Sequence, residues 1–241
     1  MNSEILSEMI TKKFDDLFYI EAENRNERVG LHASALIVGD KEFCYREQVL
    51  SLFYKRSVEY INPFVKRIFL NGWSVHEKWQ SLFEQGGIAE HVERTRGSKQ
   101  LRIFFTPDAI VRLFNKRYVV EIKSMSTKQF VMLRKAPPLN AVRQVQFYMH
   151  LTGIPNGIIL VEDKNTQQFR VFVVEYDAGV AWEFVNRLHK IKKYAELFEE
   201  DRKIPRKHPK CVSKAVGRVK SCPMREACFG TKREKLKGVK Q

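Results

Sequence analysis

The sequence predicts an α/β protein built on a mixed sheet flanked by helices. Three observations carry that reading. The hydrophobic period is helical up to about residue 85 and strand-like from residue 101. The element order is then helix, three strands, helix, strand. A helical stretch separates two strand-like runs, 117–123 and 157–163, and a crossover of that kind implies that the two strands pair in parallel.

Taken in order, residues 3–23 place Ile5, Met9, Phe14, Leu17 and Phe18 at helical spacing before the polar stretch 24–28. Ser34 is a candidate cap for a short helical turn, and a second helix is expected from Cys44 to about Arg56. Residues 63–85 predict a long helix, with Pro63 suited to its first turn and Gly86 and Gly87 stopping it. LRIFF (101–105), DAIVRLF (108–114) and RYVVEIK (117–123) are β-branched and aromatic, hence strands. A basic linker with Pro137 and Pro138 leads into a helix over 140–152 that Gly153 ends. GIILVED (157–163) reads as a buried strand, FRVFVVEY (169–176) as its alternating neighbour, and 179–200 as an amphipathic helix carrying Val180, Phe184, Leu188, Ile191 and Leu197.

Composition allows a sizeable core, since 44% of the 241 residues are hydrophobic and 12% aromatic. No apolar run approaches the roughly 18–20 residues that span a bilayer, and the first residues lack an apolar leader, so a cytoplasmic protein without membrane contact is expected. Charge is unevenly spread. Residues 202–241 hold fourteen Lys and Arg against Glu226 and Glu234, a net of +12, which subtracted from the total of +15 leaves +3 for residues 1–201. Such a segment favours a polyanion, most simply nucleic acid, although 232–240 also reads as a solvated tail. Four cysteines, Cys44, Cys211, Cys222 and Cys228, in a reducing compartment point to metal binding or simple burial rather than disulfides.

Asp108, Glu121 and Lys123 interrupt apolar runs. If Asn115 and Lys116 form a two-residue hairpin turn, Phe114 pairs with Arg117, Arg112 with Val119, Ile110 with Glu121 and Asp108 with Lys123. Alternation then gathers the three charges on one face and sends Ala109, Val111, Val120 and Ile122 to the other. Two carboxylates beside an ammonium suit a divalent-metal phosphodiesterase: oxygen ligands hold a hard cation, and the lysine orients water. They equally describe a half-buried ion pair on a sheet. On flanking helices, His76 follows Gly72 by four residues, and Gln144 and Tyr148 share a face at i and i+4.

The ordered set Gly72…His76, Thr106-Pro107-Asp108, Glu121-Ile122-Lys123 and Gln144…Tyr148 resembles the motifs of the PD-(D/E)XK nuclease superfamily, in particular its RecB-like branch. The resemblance implies a restriction-endonuclease-like αβββαβ core. It also implies metal ligation by His76, Asp108, Glu121 and the backbone carbonyl of Ile122, with magnesium or manganese as the ion. Lys123 would be the catalytic lysine, and Gln144 and Tyr148 would complete the site. Gln80 departs from the pattern, because the family often has an acidic residue there.

Cys44, Cys211, Cys222 and Cys228 resemble the ligands of iron–sulfur nucleases of this branch, the AddB-type and CRISPR-associated exonucleases. There a 4Fe–4S cluster clips the C-terminal segment to the N-terminal helical part. The ten residues between Cys211 and Cys222 are a departure from the usual two. Four thiolates also suit zinc. The expected organisation is an N-terminal helical part over 1–60, a nuclease core over 61–200, and a basic cluster-binding segment over 201–241. Lys207, Lys210, Lys214, Arg218 and Lys220 would form a phosphate-binding wall, joined by Lys128, Arg134, Lys135 and Arg143, with Phe130 as a stacking residue. The implied activity is a metal-dependent DNA exonuclease acting on single strands or ends in recombination, repair or DNA processing. Alternatives are a structure-specific endonuclease, an RNA-processing enzyme and a non-cleaving DNA-binding scaffold. No Walker-type GxxxxGK[ST] sequence is present, so any helicase or recombination partner would be a separate chain.

Overall fold

A computed structural model describes residues 3–20, 30–55, 63–98, 103–133, 136–213, 217–220 and 222–229. Helix α1 (Ser3–Ile20) packs against the later long helix, with Ile5, Met9 and Phe14 exposed. Strand β1 (Leu31–His32) leads into a short 3-10 turn over Ala33–Ala35. Ser34 lies within that turn rather than capping it; His32 is the N-cap and makes no side-chain cap. Helix α2 (Tyr45–Leu50) starts after Cys44 as expected but stops well before Arg56, giving way to turns. Helix α3 (Pro63–Gln85) has the predicted bounds, and Gly87 just past its end takes a left-handed φ of +66°.

Three short strands follow: β2 (Ala89–Val92), β3 (Arg96–Ser98) and β4 (Ile103–Phe105). Strands β5 (Ala109–Leu113) and β6 (Lys116–Met125) form the hairpin. Helix α4 (Thr127–Met132) occupies the expected basic linker, opened by a capping box in which Ser126 and Gln129 satisfy each other's backbone N–H. Helix α5 (Leu139–Thr152) ends at Gly153, whose φ is +68°. Strands β7 (Asn156–Asp163) and β8 (Phe169–Glu175) precede the long helix α6 (Ala178–Asp201), and two short helices, α7 (Gly217–Lys220) and α8 (Arg225–Phe229), close the described chain.

The main sheet has five strands in the order β2-β5-β6-β7-β8, with β6 and β7 parallel and the other neighbours antiparallel. This is an αβββαβ core made of α3, β2, β5, β6, α5 and β7. One expected strand changes place. Residues 103–105 belong to a separate three-stranded sheet, β1-β4-β3, and β2 is the strand that flanks β5.

The hairpin turn also moves. Phe114 and Asn115 are its central residues, with φ of 49° and 61°, so Leu113 pairs with Lys116, Arg112 with Arg117 and Ile110 with Val119. A turn that matches strand twist needs positive φ at both central positions, which asparagine tolerates and an in-strand Lys116 does not require. The displacement is by two residues, so the alternation and both faces are unchanged. The like charges of Arg112 and Arg117 are neutralised by Glu90 on β2, at 2.5 and 2.7 Å.

Each face of the sheet has its own apolar cover. Val75, Trp79 and Phe83 of α3 meet Ala109, Val111, Val120, Ile122, Ile158 and Leu160. On the opposite face, Ile110, Val119, Ile159 and Val161 join α5, α6 and the segment around Leu31, Leu36, Phe43 and Val49 in one core. That N-terminal segment is tied to α6 by buried Arg187. Its guanidinium donates to the carbonyls of Leu36 and Val38, pairs with Asp40 at 2.5 Å and lies 4.4 Å over the Phe43 ring. β8 is an edge strand whose Phe169, Val171 and Val173 are 54%, 49% and 70% exposed.

Close packing of α5 on β7 requires glycine at 157. A Cβ there would lie 2.9 Å from Val145 Cγ2 and 3.0 Å from Met149 Sδ. Gly157→Ala is expected to cost about 1–3 kcal/mol and lower the thermal midpoint by roughly 5 °C. A calorimetric scan checks this, and an unchanged midpoint would show that α5 can shift freely.

Candidate active site

Asp108 immediately precedes β5, where the β5–β6 ladder ends and β6 runs on paired with β7. Its Oδ2 accepts the Ile122 N–H at 2.7 Å, and its Oδ1 is 3.4 Å from His76 Nδ1 on α3. Its backbone carbonyl accepts from Gln80 Nε2 at 3.0 Å. Gln80 thus performs a structural task at the position that departs from the expected acid. Because a strand residue presents N–H and C=O to the same side, the Ile122 carbonyl lies on the Asp108 side of β6.

Glu121 is 1% exposed, and its Oε1 is 2.5 Å from Lys123 Nζ. Lys123 Nζ also donates to Gln144 Oε1 at 3.3 Å, and Gln144 Nε2 contacts Tyr148 Oη at 3.4 Å. The structure therefore brings His76, Asp108, Glu121, Lys123, Gln144 and Tyr148 into one continuous polar array where β5, β6, α3 and α5 meet.

Burial pushes the Glu121 carboxyl up to about 8, the Asp108 charge pushes the same way, and Lys123 opposes them. Burial alone would lower the Lys123 ammonium, but the Glu121 and Asp108 carboxylates outweigh it and hold the group above the ordinary lysine value. Burial, then the same two carboxylates, raise the Tyr148 phenol, so it keeps its proton and remains a donor. Glu121 Oε2 is buried with no hydrogen-bond partner. An inaccessible carboxylate oxygen beside a second carboxylate fits a hard divalent cation. Among the described residues, no three His, Cys, Asp or Glu side chains are gathered into a ready metal cage. The donor set is two carboxylates, with His76 approaching through Asp108 and the Ile122 carbonyl nearby.

Among solved structures, the alkaline exonuclease LHK-Exo from Laribacter hongkongensis aligns with TM-score 0.54 and 15% identity, covering 78% of this chain and 97% of that one. LHK-Exo in complex with dAMP aligns with TM-score 0.53 and 17% identity over 72% of this chain and 93% of that one. The chain shares with these exonuclease structures the restriction-endonuclease-like αβββαβ fold expected from the sequence. A structure of SSO0001 also aligns, with TM-score 0.48 and 14% identity over 90% of this chain and 94% of that one. No family model and no curated protein sequence matches the chain.

Around this αβββαβ core, the basic residues separate into groups. Lys128 is exposed on α4 and Lys220 on α7. Lys210 and Arg218 both pair with Glu42, and Lys207 Nζ lies 3.8 Å over the Phe229 ring. Arg134, Lys135, Lys214, the 24–28 stretch and the tail over 232–240 fall outside the described residues. Two of the residues expected to meet DNA are engaged within the protein. Arg143 is turned inward, 2.5 Å from Glu183 and over the Phe184 ring at 5.3 Å. Phe130 is 3% exposed beneath Arg170, whose guanidinium lies 4.4 Å over it, so its ring is closed to a base.

The cysteines carry no disulfide. Cys44 is the N-cap residue of α2 and makes no side-chain cap; Arg46, two residues on, donates to Cys228 Sγ at 3.1 Å and to the Pro205 carbonyl at 3.0 Å. Burial raises the Cys222 thiol to about 12, and the charges of Glu47, Cys44 and Cys228 add to it. Burial also raises Cys44, with Glu47 and Cys211 as charged neighbours that act in the same direction. Cys211 and Cys222 thus lie within electrostatic reach of Cys44, and Cys228 within reach of Cys222.

One residue was missed by sequence reasoning. Glu162 on β7 is 1% exposed and accepts from Lys78 Nζ and Trp79 Nε1, each at 2.6 Å. It anchors α3 just beyond His76. Its signal was a carboxylate at the end of GIILVED, two residues beyond Leu160 and so on the α3 face. No helix among the described residues is long and apolar enough to cross a membrane.

Two outcomes follow for metal-free protein. Glu121 binds a proton in the folded chain that the unfolded chain releases near 4.5, so its contribution to stability is full below that pH and is lost as pH rises to about 8. Denaturation midpoints in EDTA should fall across this window, and Glu121→Gln should flatten the profile. Glu162→Ala should cost about 2 kcal/mol, by leaving Trp79 Nε1 and Lys78 without their acceptor. Chemical denaturation measures this, and a loss under about 0.5 kcal/mol would show that α3 is held by apolar packing alone.

Proposed function

We propose that the chain is a metal-dependent deoxyribonuclease, an exonuclease hydrolysing phosphodiester bonds on single strands or DNA ends. The observation that carries this is the pairing of Asp108 with buried Glu121, whose Oε2 has no partner, beside Lys123 in a PD-(D/E)XK fold. The sequence likeness to RecB-like nucleases and the fold shared with an alkaline exonuclease support it.

Asp108, Glu121, the Ile122 carbonyl and His76 would hold magnesium or manganese. When bound, the ion supplies water activation and neutralises charge developing on the phosphate. Asp108 is fixed for that task by the Ile122 N–H, which leaves its other oxygen toward His76. Lys123, still an ammonium, orients the attacking water and offsets phosphate charge; Gln144 holds its Nζ on the α5 side. Tyr148, protonated and joined to Gln144, supplies a neutral donor to a substrate oxygen.

The four cysteines are read as ligands of a 4Fe–4S cluster, with zinc as the alternative. Arg46 bonding to Cys228 and to the Pro205 carbonyl supports a C-terminal segment clipped onto α2. A bound cluster would tie the basic 201–241 segment to the N-terminal part over 1–60, beside the core over 61–200, and steady Lys207, Lys210, Arg218 and Lys220 toward phosphate. The free thiols suit a reducing cytoplasm.

Nuclease assays on end-labelled single- and double-stranded DNA test the reading. Asp108→Ala, Glu121→Ala and Lys123→Ala should each lower cleavage by about 10²–10⁴-fold or more without unfolding the chain; wild-type digestion by Glu121→Ala sinks the site. Activity should vanish in EDTA. It should be higher in manganese than magnesium, with the gap narrowing in His76→Ala, since imidazole favours manganese. Anaerobically purified protein should be brown, with iron and sulfide retained. Any Cys→Ser change at 44, 211, 222 or 228 should bleach it and lower its thermal midpoint, while colourless protein containing zinc selects the alternative.

A further inference from the structure

Beside Cys44, and away from the carboxylate array, lies an open groove of about 510 Å³ between the start of α2, α6 and residues 204–209. Its aromatic lining comes from Phe43, Tyr45 and Tyr194. Phe43 and Tyr45 meet edge to face at 4.8 Å and 88°, and Tyr45 and Tyr194 at 5.9 Å and 64°. Arg206 and Lys207 stand at the rim, both exposed. Arg206 meets no carboxylate among the described residues. His208 supplies a rigid wall, since its Nδ1 accepts from the Lys210 N–H and its Nε2 contacts the Lys41 carbonyl at 3.1 Å.

Apart from Lys207, which the proposed phosphate-binding segment also includes, none of these groups is assigned to the hydrolytic reading. Packing explains part of the aromatic cluster, because Phe43 belongs to the core and Tyr45 and Tyr194 pack against it. It does not explain why the cluster opens to solvent beneath two cations. An occupant must offer a flat ring to the tyrosines and negative charge a few ångströms away, which is the chemistry of a nucleotide in a strand. The chain's own tail is a poor occupant. Residues 230–241 carry five Lys and Arg against one Glu, and like charge at Arg206 and Lys207 would repel them.

We propose that this groove is a second nucleic-acid site, which seats a base of single-stranded DNA on Tyr45 and Tyr194 with its phosphate at Arg206 and Lys207. The proposal rests on the nuclease reading only in taking DNA as the ligand. A strand gripped there would be held at a point separate from the scissile bond, giving the enzyme a hold on the substrate outside the catalytic centre.

The test titrates a fluorescent oligothymidylate with the full chain in EDTA, following anisotropy at several salt concentrations. Arg206→Gln, at an exposed position that leaves folding intact, should weaken binding about tenfold and lower the salt slope by somewhat less than one. Tyr194→Leu keeps the apolar volume but loses the flat ring; it should weaken binding about tenfold with an unchanged slope. Wild-type affinity and slope in Arg206→Gln overturn the proposal, as does polyglutamate competing as well as unlabelled oligothymidylate. Hydrolysis of bis(p-nitrophenyl) phosphate by the wild-type chain with manganese separates the two readings. Groove-dependent binding without hydrolysis leaves the groove standing and removes the nuclease reading, whereas hydrolysis with groove-independent binding does the reverse.

Discussion

Two carboxylates with their charges facing each other inside an apolar sheet are the constraint around which this molecule is arranged. Asp108 and Glu121 cannot both ionise cheaply there, and each neighbour answers part of the repulsion. Lys123 takes one Glu121 oxygen, the Ile122 N–H takes one Asp108 oxygen, and the second Glu121 oxygen is left with nothing. The hairpin supplies the two carboxylates, the parallel β7 supports β6 from the other side, and α5 brings Gln144 to Lys123. A fold organised this way leaves that repulsion only partly answered, and the proposed cation would answer the rest.

Much of this was legible because alternation along a strand is strict. Whatever its turn, a hairpin with Asp108, Glu121 and Lys123 at those parities puts them on one face. Turn chemistry was the weaker guide: asparagine marked the turn but not its place within it, so the register was displaced while the faces survived. Periodicity also cannot say which sheet a strand joins. The aromatic run ending at Phe105 is β-like, yet it pairs with β1 and β3, and the short polar β2 takes the place expected for it. The linker after β6 held a signal that went unread, since Ser126 and Gln129 spell a capping box. The helix it opens turns Phe130 inward beneath Arg170. Glu162 was hidden because one acid at the end of a buried strand looks like the strand's end.

Two arginines do for the outer layers what Lys123 does for the site. Arg187 gathers two carbonyls and Asp40 from the segment that leads to Cys44, and Arg46 gathers a sulfur and a carbonyl from the C-terminal segment. Both use the rigid fork of the guanidinium to join parts of the chain remote in sequence. They hold α2 beside the C-terminal segment, and the aromatic groove opens next to Cys44.

The bare edge of the sheet has a consequence for how the protein behaves in quantity. Phe169, Val171 and Val173 present an apolar stripe on a strand with, among the described residues, one unpaired side, a surface on which another strand could add. The chain's charge of +15 guards against that, since copies repel one another before their edges can meet. That guard is colloidal rather than structural. High ionic strength, or a polyanion that neutralises several copies at once, takes it away.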